Sequence, residues 1–232
     1  MMIMTELKLA FIHIYKTGGT SLTHILGPHT DPAFREEQTR EAGEGFQGTW
    51  HFRGVQHSKF NSSVGGFPPR LRDQVDQWRF LAVVRDPYTW THSVYKEFFA
   101  QNRGGVRGTS FLFGKVKPKR TLEDFHDFVR DFMPGYSHEI GLGTQSSFVR
   151  GIKPKQLHLV RFENYEDDIR RILPELGVEV GDLPHDLNRG QKKRTEAEEL
   201  RRNPKHVAFV NEVYAEDFEN FGYEMATPQG AE

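Results

Sequence analysis

Six residues near the N-terminus, Lys16 to Ser21, combine a cation, hydroxyls and two glycines in a pattern that can bind a phosphate. In order they are Lys16, Thr17, Gly18, Gly19, Thr20 and Ser21. The apolar run Leu9–Ile12 before them predicts a short buried strand, and Thr20 to Leu26 predicts a helix. Glycines allow a tight turn and a close backbone approach, and a helix N-terminus attracts anions. The glycine pair alone would equally suit an ordinary strand–turn–helix junction with Thr20 as N-cap. The lysine, the hydroxyls and the strand together favour an anion site.

The same arrangement occurs a second time along the chain. The β-branched run Arg79–Val84 predicts a buried strand, which continues into Arg85-Asp86-Pro87 and a helix from Tyr88 to Phe99. Gln156–Phe162 predicts a third strand, followed by a helix that ends near Leu176. Repeated strand–turn–helix units predict an α/β fold: a single domain with a central parallel β-sheet flanked by helices, and ligands at the carboxyl ends of the strands.

The remaining segments complete the predicted domain, which spans residues 1–225. Apolar stripes and caps predict helices over Pro68–Trp78, Thr121–Phe132 and Pro204–Phe221. Residues 29–48 and 101–120 are rich in polar residues and glycine, which predicts mobile loops. The tail, residues 226–232, is expected to be frayed.

Composition excludes several classes of function. The 232 residues are 36% hydrophobic and 27% charged, with a formal charge of −1, so no global basic field favours nucleic acid or a membrane surface. The absence of cysteine excludes disulfides, thiolate metal sites and a cysteine nucleophile. No apolar run suits a signal peptide or a membrane span, so we expect a cytoplasmic protein.

The phosphate-loop residues do not follow the patterns of nucleotide triphosphatases or dinucleotide enzymes. In GxxxxGK[ST] the lysine follows the glycines, whereas Lys16 precedes Gly18 and Gly19. The GxGxxG pattern is absent as well. The candidate magnesium carboxylate, Asp86, lies between Arg85 and a proline, which disfavours an ATP or GTP enzyme.

Two motifs resemble those of sulfotransferases that use 3′-phosphoadenosine-5′-phosphosulfate (PAPS). FIHIYKTGGTSL resembles their 5′-phosphosulfate-binding loop, and FLAVVRDPYTWTHSVYKEF resembles their second signature, with Ser93 eight positions after Arg85. Later segments are similar too: Gln145 with Phe148, VRFENYEDD, LPHDLNRG and VYAEDFENFGYE. The resemblance covers nearly the whole chain in order. It is to the carbohydrate sulfotransferases that include the heparan 2-O-sulfotransferase branch, which implies a P-loop-like sulfotransferase fold.

This resemblance implies roles for specific residues. Lys16 and the loop through Ser21 would bind the 5′-phosphosulfate, and Arg85 with Ser93 would bind the 3′-phosphate. The loop from Asn188 to Lys193 would close over the nucleotide, with Asn188, Arg189 and Lys192 as contacts. The co-substrate would be PAPS and the product 3′,5′-ADP, with no metal. The acceptor would be a hydroxyl-bearing molecule, with a glycan or glycoconjugate favoured.

The acceptor hydroxyl needs a base, and histidine is best matched near neutral pH. The family's base lies between the two nucleotide motifs, which leaves His51 and His57. Gln56-His57-Ser58 matches the family's usual Lys-His-Ser run, so His57 is favoured and His51 is the alternative; either could equally be a residue without catalytic duty. The chain departs from the family at Trp90, where an arginine is usual. Trp90 could pack under the loop or touch the adenine.

Two other functions remain open from the sequence. The basic segments Arg103–Arg120 and Arg189–Arg194 would also suit a non-catalytic module that binds anionic glycans. A nucleotide-dependent kinase with an atypical phosphate loop is less favoured and would require magnesium. The acceptor stays open, because Trp50, Phe52, Phe111 and Phe113 would suit a sugar, a lipid or a phenol.

Overall fold

A computed structural model describes residues 1–31, 57–65, 69–96, 121–136, 143–181 and 198–228. A four-stranded sheet organises this part of the chain. Its strands, in spatial and chain order, are β1 (Met2–Met4), β2 (Leu9–Ile12), β3 (Arg79–Val84) and β4 (Leu157–Arg161). Strands β2, β3 and β4 are parallel, and β1 is antiparallel to β2. This confirms the predicted α/β fold class.

The three parallel strands were all predicted, whereas β1 was not. Its three residues, Met2–Met4, are fully buried, and the turn that follows is closed by a bond from the Lys8 amide to the Thr5 carbonyl (3.1 Å). Lys8 takes a left-handed backbone (φ 46°) in that turn. A tight turn allows an antiparallel partner, so this short apolar run completes one edge of the sheet.

The helices of both units follow the first two strands in sequence. They are α1 (Gly19–Leu26), α2 (Phe60–Gly65), α3 (Pro69–Arg72), α4 (Pro87–Val94), α5 (Leu122–Tyr136), α6 (Ser146–Val149), α7 (Tyr165–Glu175), α8 (Pro204–Val213) and α9 (Ala215–Phe221). Short 3₁₀ turns occupy Gly27–His29, Val75–Gln77, Pro154–Gln156 and Phe162–Asn164. The described residues contain no helix long and apolar enough to cross a membrane.

The chain divides into two compact units. The first comprises Met1–Val84 and Ser147–Leu187, and the second comprises Arg85–Ser146 and Asn188–Glu232. The first unit contains the sheet, and its core joins β2, β3 and β4 to α1 and α7. The buried residues of that core include Phe11, Leu22, Leu81, Val160, Ile169 and Leu173.

The core of the second unit is aromatic and contains a pair of buried histidines. Its members include Tyr88, Trp90, Phe125, Phe209, Tyr214 and Phe218. His126 and His206 are 3% and 0% exposed, and their Nε2 and Nδ1 atoms lie 3.0 Å apart. His206 Nε2 lies 3.1 Å from the Tyr88 carbonyl. Because a carbonyl only accepts, His206 donates from Nε2. Burial lowers the pKa of both histidines, so at neutral pH both rings are uncharged and one ring donates to the other.

Two predicted helices have different bounds in the structure. The predicted Pro68–Trp78 helix is the single turn α3 and a 3₁₀ turn, because Trp78 is already extended (ψ 151°) where it leads into β3. The predicted Pro204–Phe221 helix is broken at Tyr214 (φ −114°, ψ 24°) into α8 and α9. The predicted apolar stripe is nevertheless buried in both pieces.

The C-terminal segment is hydrogen-bonded at a residue that we expected to be frayed. We expected residues 226–232 to be frayed, yet the Ala226 amide donates to the Tyr88 hydroxyl (2.8 Å) and its carbonyl accepts from Asn211 Nδ2 (2.9 Å). The predicted loop at 29–48 is described only through Asp31, and the predicted loop at 101–120 lies outside the described residues.

Candidate functional site

The loop after β2 has an unusual backbone. Lys16 (φ 58°) and Gly18 (φ 87°) are both left-handed, a conformation that costs a non-glycine residue energy and is often found at functional sites. Between them, Thr17 is buried, and its Oγ1 donates to the Ile14 carbonyl (3.0 Å). The Thr17 hydroxyl therefore shapes the loop from inside, which leaves its backbone amide as the group that could meet a ligand.

Packing explains why two glycines follow Thr17. A Cβ on Gly18 would lie 2.8 Å from the ring of Phe162, and one on Gly19 would lie 2.5 Å from the ring of His13. The Gly18 carbonyl also accepts from the Tyr165 hydroxyl (3.1 Å). The glycines thus let the loop lie directly on the side chains beneath it.

Helix α1 begins at this loop with its amide end available to a ligand. Its N-cap is Gly18 and not Thr20, which is an exposed residue in the first turn. Glycine has no side chain with which to accept a bond from the first-turn amides, and those amides lack intrahelical acceptors. The amides of Gly19, Thr20 and Ser21, together with the helix dipole, give this end partial positive charge. The ordinary N-cap interpretation of Thr20 is therefore wrong, and the anion-site interpretation is favoured.

His57 lies directly against this loop. Its Nδ1 is 2.9 Å from the His13 carbonyl, although 44 residues separate the two in sequence. Since the carbonyl accepts, Nδ1 carries the hydrogen and Nε2 of the neutral ring holds a lone pair. The ring stacks on Tyr15 with centroids 3.6 Å apart and planes at 22°. One hydrogen bond and one stacked ring thus fix both the tautomer and the orientation of the imidazole.

The protonation state of His57 follows from its surroundings. The pKa of His57 is lowered to about 4, mainly by burial; the bond to the His13 carbonyl opposes the shift, and the N-terminal amino group and Lys16 add smaller contributions to it. At neutral pH the ring is therefore uncharged, with Nε2 able to accept a proton. His13 itself is buried and stacks on Phe11 (5.6 Å between centroids).

In the second unit, Arg85 is held at its backbone and at its side chain. Its amide donates to Gln145 Oε1 (2.9 Å), and its carbonyl accepts from Gln145 Nε2 (2.8 Å). Its guanidinium Nε donates to Thr89 Oγ1 (3.0 Å). Arg85 is 9% exposed, so a strong cation with a planar set of donors is nearly buried here.

Helix α4 carries the rest of this second motif. Asp86 caps the helix by accepting from the Thr89 amide (3.1 Å) and pairs with the Arg201 guanidinium, and Pro87 fills the first helical position. Ser93 is half-buried and lies one turn after Thr89 on the same helix face, because residues four apart are neighbours on a helix. The face that holds Arg85 Nε therefore also presents the Ser93 hydroxyl.

Trp90 is a core residue of the second unit. It is 0% exposed and meets the ring of Tyr214 edge-on at 5.3 Å and 86°. A side chain buried to this extent cannot stack on an adenine, which rules out one of the two roles suggested for it. Trp90 stands where an arginine is usual in the family that the sequence resembles, and its side chain contributes packing to the core.

The structure places Lys16 to Ser21 and His57 together in the first unit, and Arg85 and Ser93 in the second. His51, Asn188, Arg189 and Lys192 lie outside the described residues, as do both basic segments. Within the described ranges, no group of three or more His, Asp or Glu residues could hold a metal; that the reaction needs none stays a prediction.

Sequence reasoning missed three supporting contacts: Gln145 on the Arg85 backbone, Asp217 on the Gln145 amide, and Tyr165 on the Gly18 carbonyl. Each joins residues more than 50 positions apart. Gln145 could have been singled out, because it belongs to a segment with family resemblance.

The chain matches a protein-family model described as Sulfotransferase family over residues 1–224. No curated protein matches the chain, and no solved structure does.

Proposed function

Because the chain belongs to the sulfotransferase family, whose activity is sulfuryl transfer to a hydroxyl-bearing acceptor, we propose that its sulfuryl donor is PAPS. We further propose that the acceptor hydroxyl belongs to a glycan or glycoconjugate. The donor carries two phosphate groups, at the 5′ and 3′ positions of the ribose. The two motifs that we propose to bind anions, Lys16 to Ser21 and Arg85 with Ser93, supply a partner for each group. Support for the glycan comes from the resemblance of the sequence motifs.

The residues present fit the 5′-phosphosulfate. The single observation that carries the proposal is the position of the amide end of α1. It directly follows Lys16, whose backbone is left-handed, and Gly18, which is the N-cap. A phosphate oxygen matches backbone amides in the first turn of a helix, and Lys16 adds a full positive charge. The underside of the loop is filled by His13 and Phe162, so a ligand meets its amides from the opposite face.

The residues also fit the 3′-phosphate. Arg85 offers a planar fork of N–H donors, which suits a phosphate better than a point charge does. Its Nε is already bonded to Thr89, and Ser93 follows one turn later with a further hydroxyl. We therefore assign Arg85 and Ser93 to the 3′-phosphate and Lys16 to Ser21 to the 5′-phosphosulfate.

The proposed reaction moves SO₃ in line from a phosphate oxygen to the acceptor oxygen. The bound donor supplies the sulfuryl group and a phosphate leaving group. One sulfur–oxygen bond breaks as another forms, and His57 Nε2 takes the proton of the acceptor hydroxyl. Lys16 and the amides of Gly19 to Ser21 stabilise the charge that grows on the departing phosphate. As in phosphoryl transfer, positioning and charge stabilisation account for most of the rate.

The test is transfer of radiolabelled sulfate from PAPS to a panel of glycans, lipids and phenols. We expect transfer to at least one glycan and a fall of roughly 10²-fold or more in Lys16→Ala, because a cation at the leaving group is lost. Lys8→Ala is the matched control: Lys8 has the same left-handed backbone in the β1–β2 turn, where its side chain bonds Gln77. Equal rates for the two variants would contradict the role of Lys16. Transfer to phenols or lipids alone would overturn the glycan acceptor.

A further inference from the structure

Gln145 bonds both polar backbone groups of a single residue, Arg85, and both bonds are within 2.9 Å. Its carboxamide accepts from the amide and donates to the carbonyl, as a neighbouring strand would. Gln145 is fully buried. A buried glutamine whose two polar ends serve the same residue is a specific device for fixing that residue's backbone.

Arg85 needs such a partner because the sheet ends one residue before it. The last pair of the β3–β4 ladder is Val84 with Arg161. Beyond that pair, the amide and carbonyl of residue 85 have no strand partner in the ladder, and a buried backbone group without a partner costs free energy. Gln145 takes the place of the missing strand at this one position.

A buried carboxylate fixes Gln145 in turn. Asp217 is 0% exposed, and its two oxygens accept from the amides of Gln145 (2.9 Å) and Ser146 (2.7 Å). The Ser146 hydroxyl adds a bond to the Glu216 carbonyl (3.3 Å). The start of α6 is therefore held by α9, which begins at the helix break after Tyr214.

We propose that Gln145 and Asp217 are positioning residues that set Arg85 in the orientation required to bind the 3′-phosphate of the donor. This inference rests on the proposed function, since it assigns Arg85 to that phosphate. It accounts for a chain of hydrogen bonds, from Asp217 through Gln145 to the Arg85 backbone, that core packing alone does not require.

The side chain of Arg85 benefits directly from this arrangement. Its backbone is fixed by Gln145, and its Nε is fixed by Thr89, whose amide is held by Asp86. With both ends of the aliphatic stem fixed, few rotamers remain for the guanidinium. A side chain that is ordered before binding loses less entropy when it meets a ligand. Loss of Gln145 should therefore weaken ligand binding even where the fold survives.

The experiment is isothermal titration calorimetry of the full chain with 3′,5′-ADP and with 5′-AMP, which lacks the 3′-phosphate. We expect the wild type to bind 3′,5′-ADP more tightly, and Gln145→Met to reduce this preference about tenfold or more through misplacement of Arg85. Gln156→Met is the matched control, because Gln156 is also buried and its Nε2 bonds the carbonyls of Val75 and Trp78 in the first unit. Its preference should equal that of the wild type.

A second variant and a double variant separate positioning from folding. Asp217→Asn keeps one acceptor oxygen, so it should show a smaller loss of the same preference. In Arg85→Ala, the further change Gln145→Met should have no additional effect on the preference, since the residue being positioned is gone. A lower melting temperature with an unchanged preference in both Gln145→Met and Asp217→Asn would overturn the inference. A wild type that does not distinguish 3′,5′-ADP from 5′-AMP would instead overturn the proposed donor, and the inference with it.

Discussion

At the scale of single residues, His57 is the side chain whose geometry makes the sharpest prediction. Its Nδ1–H is bonded to the His13 carbonyl and its ring stacks on Tyr15, so Nε2 is the only ring atom that can take a proton. We expect His57→Ala to lower the rate of sulfate transfer by roughly 10²- to 10⁴-fold, the usual contribution of a general base. The affinity for 3′,5′-ADP should not change, because the base meets the acceptor.

The control for His57 is His158, a partly buried histidine on β4 of the same unit. His158→Ala should transfer sulfate at the wild-type rate. If His57→Ala also keeps the full rate, the base is not His57, and the same measurement on His51→Ala becomes the next test.

At Gly19 the prediction concerns the space available for a Cβ atom and not the backbone angle. A Cβ at this position would lie 2.5 Å from the His13 ring and 3.1 Å from Phe11, so Gly19→Ala must displace either the loop or those rings. We expect a loss of about 1–3 kcal/mol in the free energy of unfolding, together with weaker binding of 3′,5′-ADP. Gly27→Ala at the other end of α1 is the control, because a Cβ there meets nothing within 4 Å. Equal stability of the two variants, measured by urea denaturation, would contradict the packing argument.

Residue types and short spacings were enough to single out Lys16 to Ser21 as a candidate phosphate loop, and its phosphate-binding role stays a prediction. A lysine, hydroxyls and glycines after an apolar run have a local physical meaning, and so does an arginine followed by Asp-Pro at a helix start. The contacts between His57 and His13 and between Gln145 and Arg85 were beyond reach, because 44 and 60 residues separate their partners. A pattern confined to neighbouring residues does not report which distant backbone group a side chain will meet.

At the scale of helices and strands, the uninterrupted apolar runs were the most informative signal. β3 spans Arg79–Val84 as predicted, and the α5 cap pair is present, with Thr121 and Asp124 bonded to each other (2.7 Å between the side chains). The break at Tyr214 was missed, because the apolar stripe continues through it with unchanged helical spacing. The apolar stripe indicates which side chains are buried. It does not indicate the break, which is stabilised by residues that bond Asp217 from distant positions in the sequence.

The cap of α8 gives a prediction about an element. Asn203 Oδ1 accepts from the His206 amide (3.1 Å), which satisfies one of the amides that a helix start leaves without a partner. Asn203→Ala should lower the free energy of unfolding by about 1 kcal/mol. Asn220→Ala, at an exposed position within α9, is the control and should be neutral or slightly stabilising, since alanine favours helix. Equal denaturation midpoints for the two variants would show that the cap contributes nothing.

At the scale of the whole molecule, buried histidines should make stability depend on pH. Burial lowers the pKa of His57 and of His206 to about 4, and it lowers the pKa of His126 to about 3, where the neighbouring His206 adds to the shift. Between pH 6.5, the ordinary value, and about pH 4, the unfolded chain binds more protons at these sites than the folded chain does. The stability is therefore fully present above pH 6.5 and is lost as the pH falls.

One buried carboxylate acts in the opposite direction. Burial raises the pKa of Asp217 to about 6, although its bonds to Ser146 and Gln145 oppose the rise, so at this site the folded chain binds more protons between about pH 6 and pH 4. Three histidines outweigh one aspartate, and we expect a net loss on the order of 2 kcal/mol or more on acidification to pH 4.5. Denaturation at pH 7.0, 5.5 and 4.5 measures it, with His24→Gln, a change at an exposed position on α1, as a control that should follow the wild-type curve. A stability that stays constant across this range would contradict the neutral state of the buried rings.

The proposed function depends most on the identity of the nucleotide donor, and thermal stability with added ligand tests that identity directly. A ligand that binds only the folded state stabilises it by about 2.7 kcal/mol at roughly a hundred times its Kd, which raises the melting temperature by several degrees in a chain of this size. We expect 3′,5′-ADP to give this rise, ATP with magnesium to give little, and Lys16→Ala to reduce the effect of 3′,5′-ADP. No stabilisation by 3′,5′-ADP together with a clear rise from ATP would contradict the proposed donor and favour a nucleotide-dependent kinase.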